Sequence, residues 1–215
     1  MCATLAGETA VRADSSTNAL TTNQIAQSYP AATKSLNQFR RLITPSNYSL
    51  MGFASTNQVS QAVLGEPLQV YHIRMKNLTN YNSRQDFRGL LTPASRVIYP
   101  IAVKTETVSS TTLRLTQNNW KTASWGQSEI IRDLTRLRTR LQKGWLAGPK
   151  RPDEIFAAEV PITGTWMVGY FDGPDTPVLF TSYGILTNAP SDHQVSRHEM
   201  EVLANRARSY RGGSN

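Results

Sequence analysis

Residues 110–144 read STTLRLTQNNWKTASWGQSEIIRDLTRLRTRLQKG, and two hydrophobic rhythms meet within them. Over residues 109–116, Thr111, Leu113 and Leu115 alternate with Ser110, Thr112 and Arg114, the two-residue period of a strand. Gln117, Asn118 and Asn119 interrupt it. The extended pattern resumes from Trp120 to Trp125, which predicts a hairpin. From Gln127 to Lys143 the period changes. Ile130, Leu134, Leu137 and Leu141 fall on one stripe of a helix that Gly144 ends. A hairpin running straight into a long helix points to an α+β chain.

Further strands are expected on both sides of this stretch. In residues 68–75, Tyr71, Ile73 and Met75 point to one face while Val70, His72 and Arg74 point to a more polar one. Residues 96–104 form the next strand, and Pro100 inside it argues for an edge position or a bulge, because proline donates no ladder hydrogen bond. Residues 77–95 read as a long loop. Downstream, residues 154–160, 165–171 and 178–182 are extended, the last two joined by the turn Asp172, Gly173, Pro174. Helices are expected over 34–43, ended by Thr44 and Pro45, over 56–64, and over 192–209 with Ser191 or Asp192 as cap. A doubly wound parallel sheet needs a helix after nearly every strand. The expected fold is therefore α+β, a mostly antiparallel sheet of about six strands covered mainly on one face by helices. This order resembles small sensor-like and cystatin-like folds, a likeness that carries no function. The domain organisation follows as a polar leader over 1–32, one domain over 33–211 and a flexible tail over 212–215.

Of the 215 residues, 39% are hydrophobic, below the roughly 45–50% of globular chains, so part of the chain is expected outside a packed core. The formal charge of +8 favours anionic partners in general and does not choose among nucleic acid, lipid and acidic protein. No apolar run approaches the ~20 residues of a membrane span, and the N-terminus lacks the apolar region of a signal peptide. With Cys2 as the one cysteine, an intramolecular disulfide and a cysteine zinc site are both excluded. Cys2 directly follows Met1 and precedes the small and polar residues 3–23. That arrangement resembles a mature bacterial lipoprotein, which implies a lipid on Cys2 and a tether after it.

Chemistry-bearing motifs are absent. There is neither a GxxxxGK[ST] nor a GxGxxG phosphate loop, and Ser109 and Ser110 lack a Gly-x-Ser-x-Gly elbow. His193 and His198 lie five apart on the expected last helix, whereas two ligands on one helix face need a spacing of four. His72 reads as a surface or hydrogen-bonded histidine. Asp172 and Asp175 flank a turn, and Asp153 with Glu154 begins a strand. No catalytic, cofactor or metal residue is assigned. Trp120, Trp125, Trp145 and Trp166 suit packing better than a cleft lining.

The strongest candidate surface is Arg132, Arg136, Arg140 and Lys143, which fall opposite the apolar stripe of the central helix. Arginines in a row suit bidentate contacts to phosphate or carboxylate. Asp133 and Glu129 lie where intrahelical pairs partly neutralise them. Finally, residues 64–68 (LGEPL), 96–100 (RVIYP), Ser109 and Ser110 through Trp120, and Trp125 with Gly126 together resemble uncharacterised exported bacterial proteins. The resemblance covers roughly residues 50–185; it implies an exported or envelope location and supplies no site residues.

The leading expectation is a non-enzymatic, envelope-associated accessory or assembly subunit on the periplasmic side of a bacterial membrane, with a cytoplasmic location as the alternative. It would bind other envelope proteins, as part of a multi-subunit complex, and carry a lipid anchor on Cys2. The alternatives are a sensor-like module for a small ligand, and a binder of nucleic acid or anionic surfaces through the arginine stripe.

Overall fold

The computed structural model describes residues 19–147, 150–151, 154–173, 176–183 and 190–212. In chain order the described elements are α1 (Thr22–Gln27), α2 (Tyr29–Leu42), β1 (Val63–Leu64), β2 (Leu68–Ile73), α3 (Met75–Thr79), β3 (Leu91–Val103), β4 (Glu106–Thr116), β5 (Asn119–Trp125), α4 (Ser128–Gln142), β6 (Ile155–Val160), β7 (Thr165–Asp172), β8 (Thr176–Tyr183), β9 (Pro190–Gln194) and α5 (Arg197–Gly212). The strands form one sheet in the order β5-β4-β3-β2-β6-β7-β8-β9, with β1 paired to β3. All neighbours are antiparallel except β2 and β6, which are parallel and place Gln69 opposite Phe156 and His72 opposite Glu159. Two antiparallel halves thus meet along one parallel seam. The long connection from β2 to β6 that a parallel pair requires runs through β3, β4, β5 and α4.

Helices cover both faces, not mainly one. On the first face Leu68, Ile98, Val70, Ala157, Val168 and Phe180 pack against Ile131, Leu134, Leu137 and Leu141 of α4. On the opposite face Tyr71, Phe156, Ala158, Met167 and Leu179 form a core with Leu78 of α3 and Met200, Leu203, Ala204 and Ala207 of α5. Over β3 and β4 the same face is closed by α1 and α2, with Ala32, Leu36 and Phe39 against Val97, Tyr99, Ile101 and Val108. Val70, expected on a polar face, has no exposure, because its face is the one that α4 covers. Strands buried on both sides lose the alternation that marks one-sided cover.

Several boundaries differ from expectation for local reasons. The folded part begins before residue 33. Thr21 caps α1 through a reciprocal box with Gln24, Pro30 sits in the first turn of α2, and Leu20 is buried. No residue of α1 is buried, so it carries no apolar period to read. The 56–64 helix is a 3-10 turn over Thr56–Gln61 followed by β1. The long loop contains α3, and β3 starts at Leu91. Pro100 lies in an interior strand, beside a register shift between Ile101 and Ala102. Asp192 belongs to β9 and does not cap the last helix. That helix starts at Arg197, after a capping box in which Ser196 Oγ accepts from the Glu199 N–H and Glu199 Oε2 accepts from the Ser196 N–H.

Two glycines are fixed by contact. Gly52 has φ +92°, and a Cβ there would lie 1.9 Å from the Val108 carbonyl oxygen. A Cβ on Gly169 would lie 2.8 Å from Phe156 Cζ and 2.7 Å from the Val178 oxygen, so its absence lets the Phe156 ring rest on β7.

Candidate ligand-binding cleft

Where β2 and β6 begin, the seam carries a cleft of about 460 Å³. Its floor is aromatic. Tyr71, Phe156 and Phe171 stand with ring centroids 4.7, 5.8 and 4.9 Å apart pairwise. The first two are nearly buried and the third is half-buried. Ile25 and Ala26 of α1 and Pro67 form apolar walls, while Thr22, Glu66, Arg138 and Glu154 supply polar atoms. Gln69 also lines it, and its amide Nε2 is buried without a hydrogen-bond partner among the described residues. A buried donor in that state is costly until something accepts from it.

The charged groups around the cleft are held in place. Arg138 lies on the inward side of α4, where the sequence stripe had only apolar residues. Its guanidinium donates to the Glu66 carbonyl at 2.6 Å and to Glu66 Oε2 at 2.9 Å, tying α4 to the approach to β2. Burial lowers the Arg138 pKa, with Glu66 acting against it. Arg151 Nε donates to Glu154 Oε1 at 3.0 Å. Burial also raises the Tyr71 pKa, so its phenol stays neutral. The cleft therefore has an aromatic floor, an unpartnered donor buried behind its lining and carboxylates already engaged by arginine.

Apart from Glu154, which lines the cleft, the residues singled out by sequence lie elsewhere. Cys2, Asp153 and Asp175 fall outside the described residues. Of the arginine stripe, Arg132 Nε donates to the Thr107 carbonyl at 3.2 Å. Arg136 pairs with Asp133 at 2.9 Å and Asp192 at 3.2 Å, and Arg140 with Asp192 at 2.7 Å. Lys143 Nζ stands 4.8 Å above the Trp145 ring. Asp192, from the far edge of the sheet, compensates two of these charges. The sheet thus curls far enough for both the start of β4 and β9 to reach one helix.

Trp125 donates from Nε1 to Ser35 Oγ at 2.9 Å, Trp120 packs beside Leu115, and Trp166 is half-buried against the α4 core. Ser110 Oγ donates to the Gly126 carbonyl. Among the described residues no three His, Cys, Asp or Glu side chains gather as a metal site, and no helix is long and apolar enough to cross a membrane.

His72 does gain partners that its own strand did not reveal. Its Nε2 lies 3.2 Å from Glu159 Oε2, and Arg96 Nη2 bonds to both. His193 Nε2 lies 2.7 Å from Glu199 Oε1. Burial acts to raise the pKa of each glutamate, but hydrogen bonds and neighbouring positive charge hold both below the usual 4.5. For Glu159 these come from His72 and Arg96, and for Glu199 from Ser196 and His193. A depressed carboxylate pKa contributes stability that is present above 4.5 and is lost as pH falls through the lower native value. Urea unfolding followed from pH ~6 down to ~3 is expected to show stability falling below pH ~4.5, with a shallower fall in Glu159→Gln. An identical acid limb in that variant removes Glu159 from the account.

No family model, curated protein or solved structure matches the chain.

Proposed function

We propose that this protein is a small-ligand-binding module whose cleft takes a flat, largely apolar molecule bearing a hydrogen-bond acceptor. The observation that carries this reading is the meeting of three contacting aromatic rings with the buried, unpartnered Gln69 amide in one cleft. Aromatic faces favour offset or edge contacts with a planar apolar body. A turn of the Gln69 side chain toward the cleft brings its N–H to a carbonyl or carboxylate on that body. A cleft of ~300–1,000 Å³ with apolar walls and few polar groups is the usual form of such sites. An envelope role with a lipid on Cys2 stays a separate proposal, since it is attached to residues outside the described part.

Calorimetric titration with 2-naphthoate and indole-3-carboxylate tests the reading. Binding of at least one probe is expected, with a rise in Tm because the probe binds only the folded state. Ala26 is exposed on the cleft wall, so Ala26→Trp is expected to fill the cleft and abolish binding while leaving the unliganded Tm unchanged. Phe171→Ala is expected to weaken binding about tenfold, near 1.4 kcal/mol. Silence of both probes toward the unmodified protein, or undiminished binding by Ala26→Trp, rejects it.

A further inference from the structure

The wall of the cleft formed by α1 has little of its own to hold it in place. Thr22, Ile25 and Ala26 line the cleft, yet no residue of Thr22–Gln27 is buried, and Ile25 rests only in part on the core beneath. The anchors lie just beyond its ends. Before α1, Leu20 is 7% exposed and packs with Val97, Tyr99 and Leu113. After it, Ser28 is fully buried, and its Oγ donates to the Ile25 carbonyl at 2.6 Å and lies 2.7 Å from the Tyr99 hydroxyl. From there onward the chain is seated by Ala32, Leu36 and Phe39 of α2. The aromatic floor belongs to β2, β6 and β7, so it stays with the sheet whatever α1 does.

A helix this short has no stability of its own in water, since nucleation is costly and isolated helices below ~12–15 residues are marginal. α1 therefore keeps its shape only while Leu20 and Ser28 hold it on the sheet, and lifting it melts it. Segments with few buried apolar contacts open locally at far less cost than the whole domain. We propose, resting on the reading of the cleft as a ligand site, that α1 is a movable strap that releases at Leu20, pivots at Ser28 and closes over the bound molecule. A planar ligand on the aromatic floor covers the cleft-lining sides of Ile25 and Ala26, a contact that the empty protein lacks. The ligand thus favours the closed form by the contacts that only that form offers.

Amide hydrogen exchange of the full chain, followed residue by residue by NMR, tests the strap first without ligand. The Ile25 N–H, bonded to the Thr21 carbonyl at 3.0 Å, is expected to be protected at least about a hundredfold less than the Phe39 N–H of α2. Leu20→Ala, a residue outside the cleft lining, is expected to lower Ile25 protection at least about tenfold further. Equal protection of Ile25 and Phe39 overturns the proposal, because α1 would then open only with the whole fold. So does an Ile25 protection that Leu20→Ala leaves unchanged. Saturating 2-naphthoate or indole-3-carboxylate, whichever binds, is expected to slow exchange at Ile25 as well as at Phe39. A probe that slows Phe39 and leaves Ile25 unchanged is bound without the strap, which overturns the proposal and keeps the cleft. Silence of both probes rejects the cleft reading and with it a ligand for the strap to close on, whereas the opening of α1 is decided on the empty protein.

Discussion

Gly52→Ala is expected to lose about 4 kcal/mol or more, and to lower Tm by about 10 °C or more at 2–4 °C per kcal/mol. Two costs add. Gly52 holds φ +92°, a conformation that a side chain opposes, and the new methyl would stand 1.9 Å from the Val108 carbonyl oxygen. That oxygen cannot step aside cheaply. It belongs to β4 where the pairing with β3 shifts register, Ile101 facing Ser109 and Ala102 facing Thr107, so Val108 is the extra residue of a bulge. The segment between α2 and β1 docks on that bulge through Gly52. Thermal and urea unfolding of the variant check the magnitude, and a loss below about 1 kcal/mol contradicts the contact.

The second large effect belongs to Phe39. It is fully buried, with ring centroids 6.1 Å from Phe53 and 6.4 Å from Trp125, the latter ring nearly parallel. Phe39→Ala is expected to cost about 3–5 kcal/mol, the range for emptying an aromatic site in a core. Near-ultraviolet circular dichroism is expected to change with it, because Trp125 loses a stacking neighbour and its Nε1 bond to Ser35 sits one helical turn away. Urea midpoints measure the loss. A normal midpoint would mean that α2 is not fastened to β5 as described.

That helix shows where sequence reading succeeds and where it stops. Residues 34–43 were legible as a helix because Leu36 and Phe39 face the core at helical spacing. The turns before it were not. α1 buries no side chain of its own and depends on capping by Thr21, so its signal lay in a T-x-x-Q box and not in hydrophobicity. The long central helix was read to within a residue at each end, because its four-three-four pattern is strong. Its inward face also holds Arg138, a charge that becomes intelligible only with Glu66 in place. β9 was hidden inside a supposed helix start. Ser191, Asp192, His193 and Gln194 are polar, and an edge strand needs no apolar alternation. The charge balance of the arginine stripe was hidden with it, since Asp192 comes from that strand.

The cleft escaped for a different reason. Tyr71 and Phe171 are ordinary strand residues in sequence, and Phe156 opens what looked like a separate strand. Phe156 and Phe171 meet across the β6–β7 hairpin, but Tyr71 joins them only because β2 lies parallel to β6, and no local pattern announces which strands a crossover joins. One signal was within reach. Gly169 inside an apolar strand marks a close approach, and the approaching group is the Phe156 ring.

The seam also has a kinetic meaning. The pairing of β2 with β6 spans more sequence than any other in the sheet, while the β3–β4, β4–β5, β6–β7 and β7–β8 hairpins close through short connections. Loop-closure entropy places such a contact late in assembly. On that ground the two halves of the sheet are expected to form as hairpin stacks before they meet, with Phe156 and Phe171 already together and Tyr71 joining them at the meeting. A molecule held there acts as a clasp between two half-proteins, and its binding energy is added to the one joint that the chain is slowest to make.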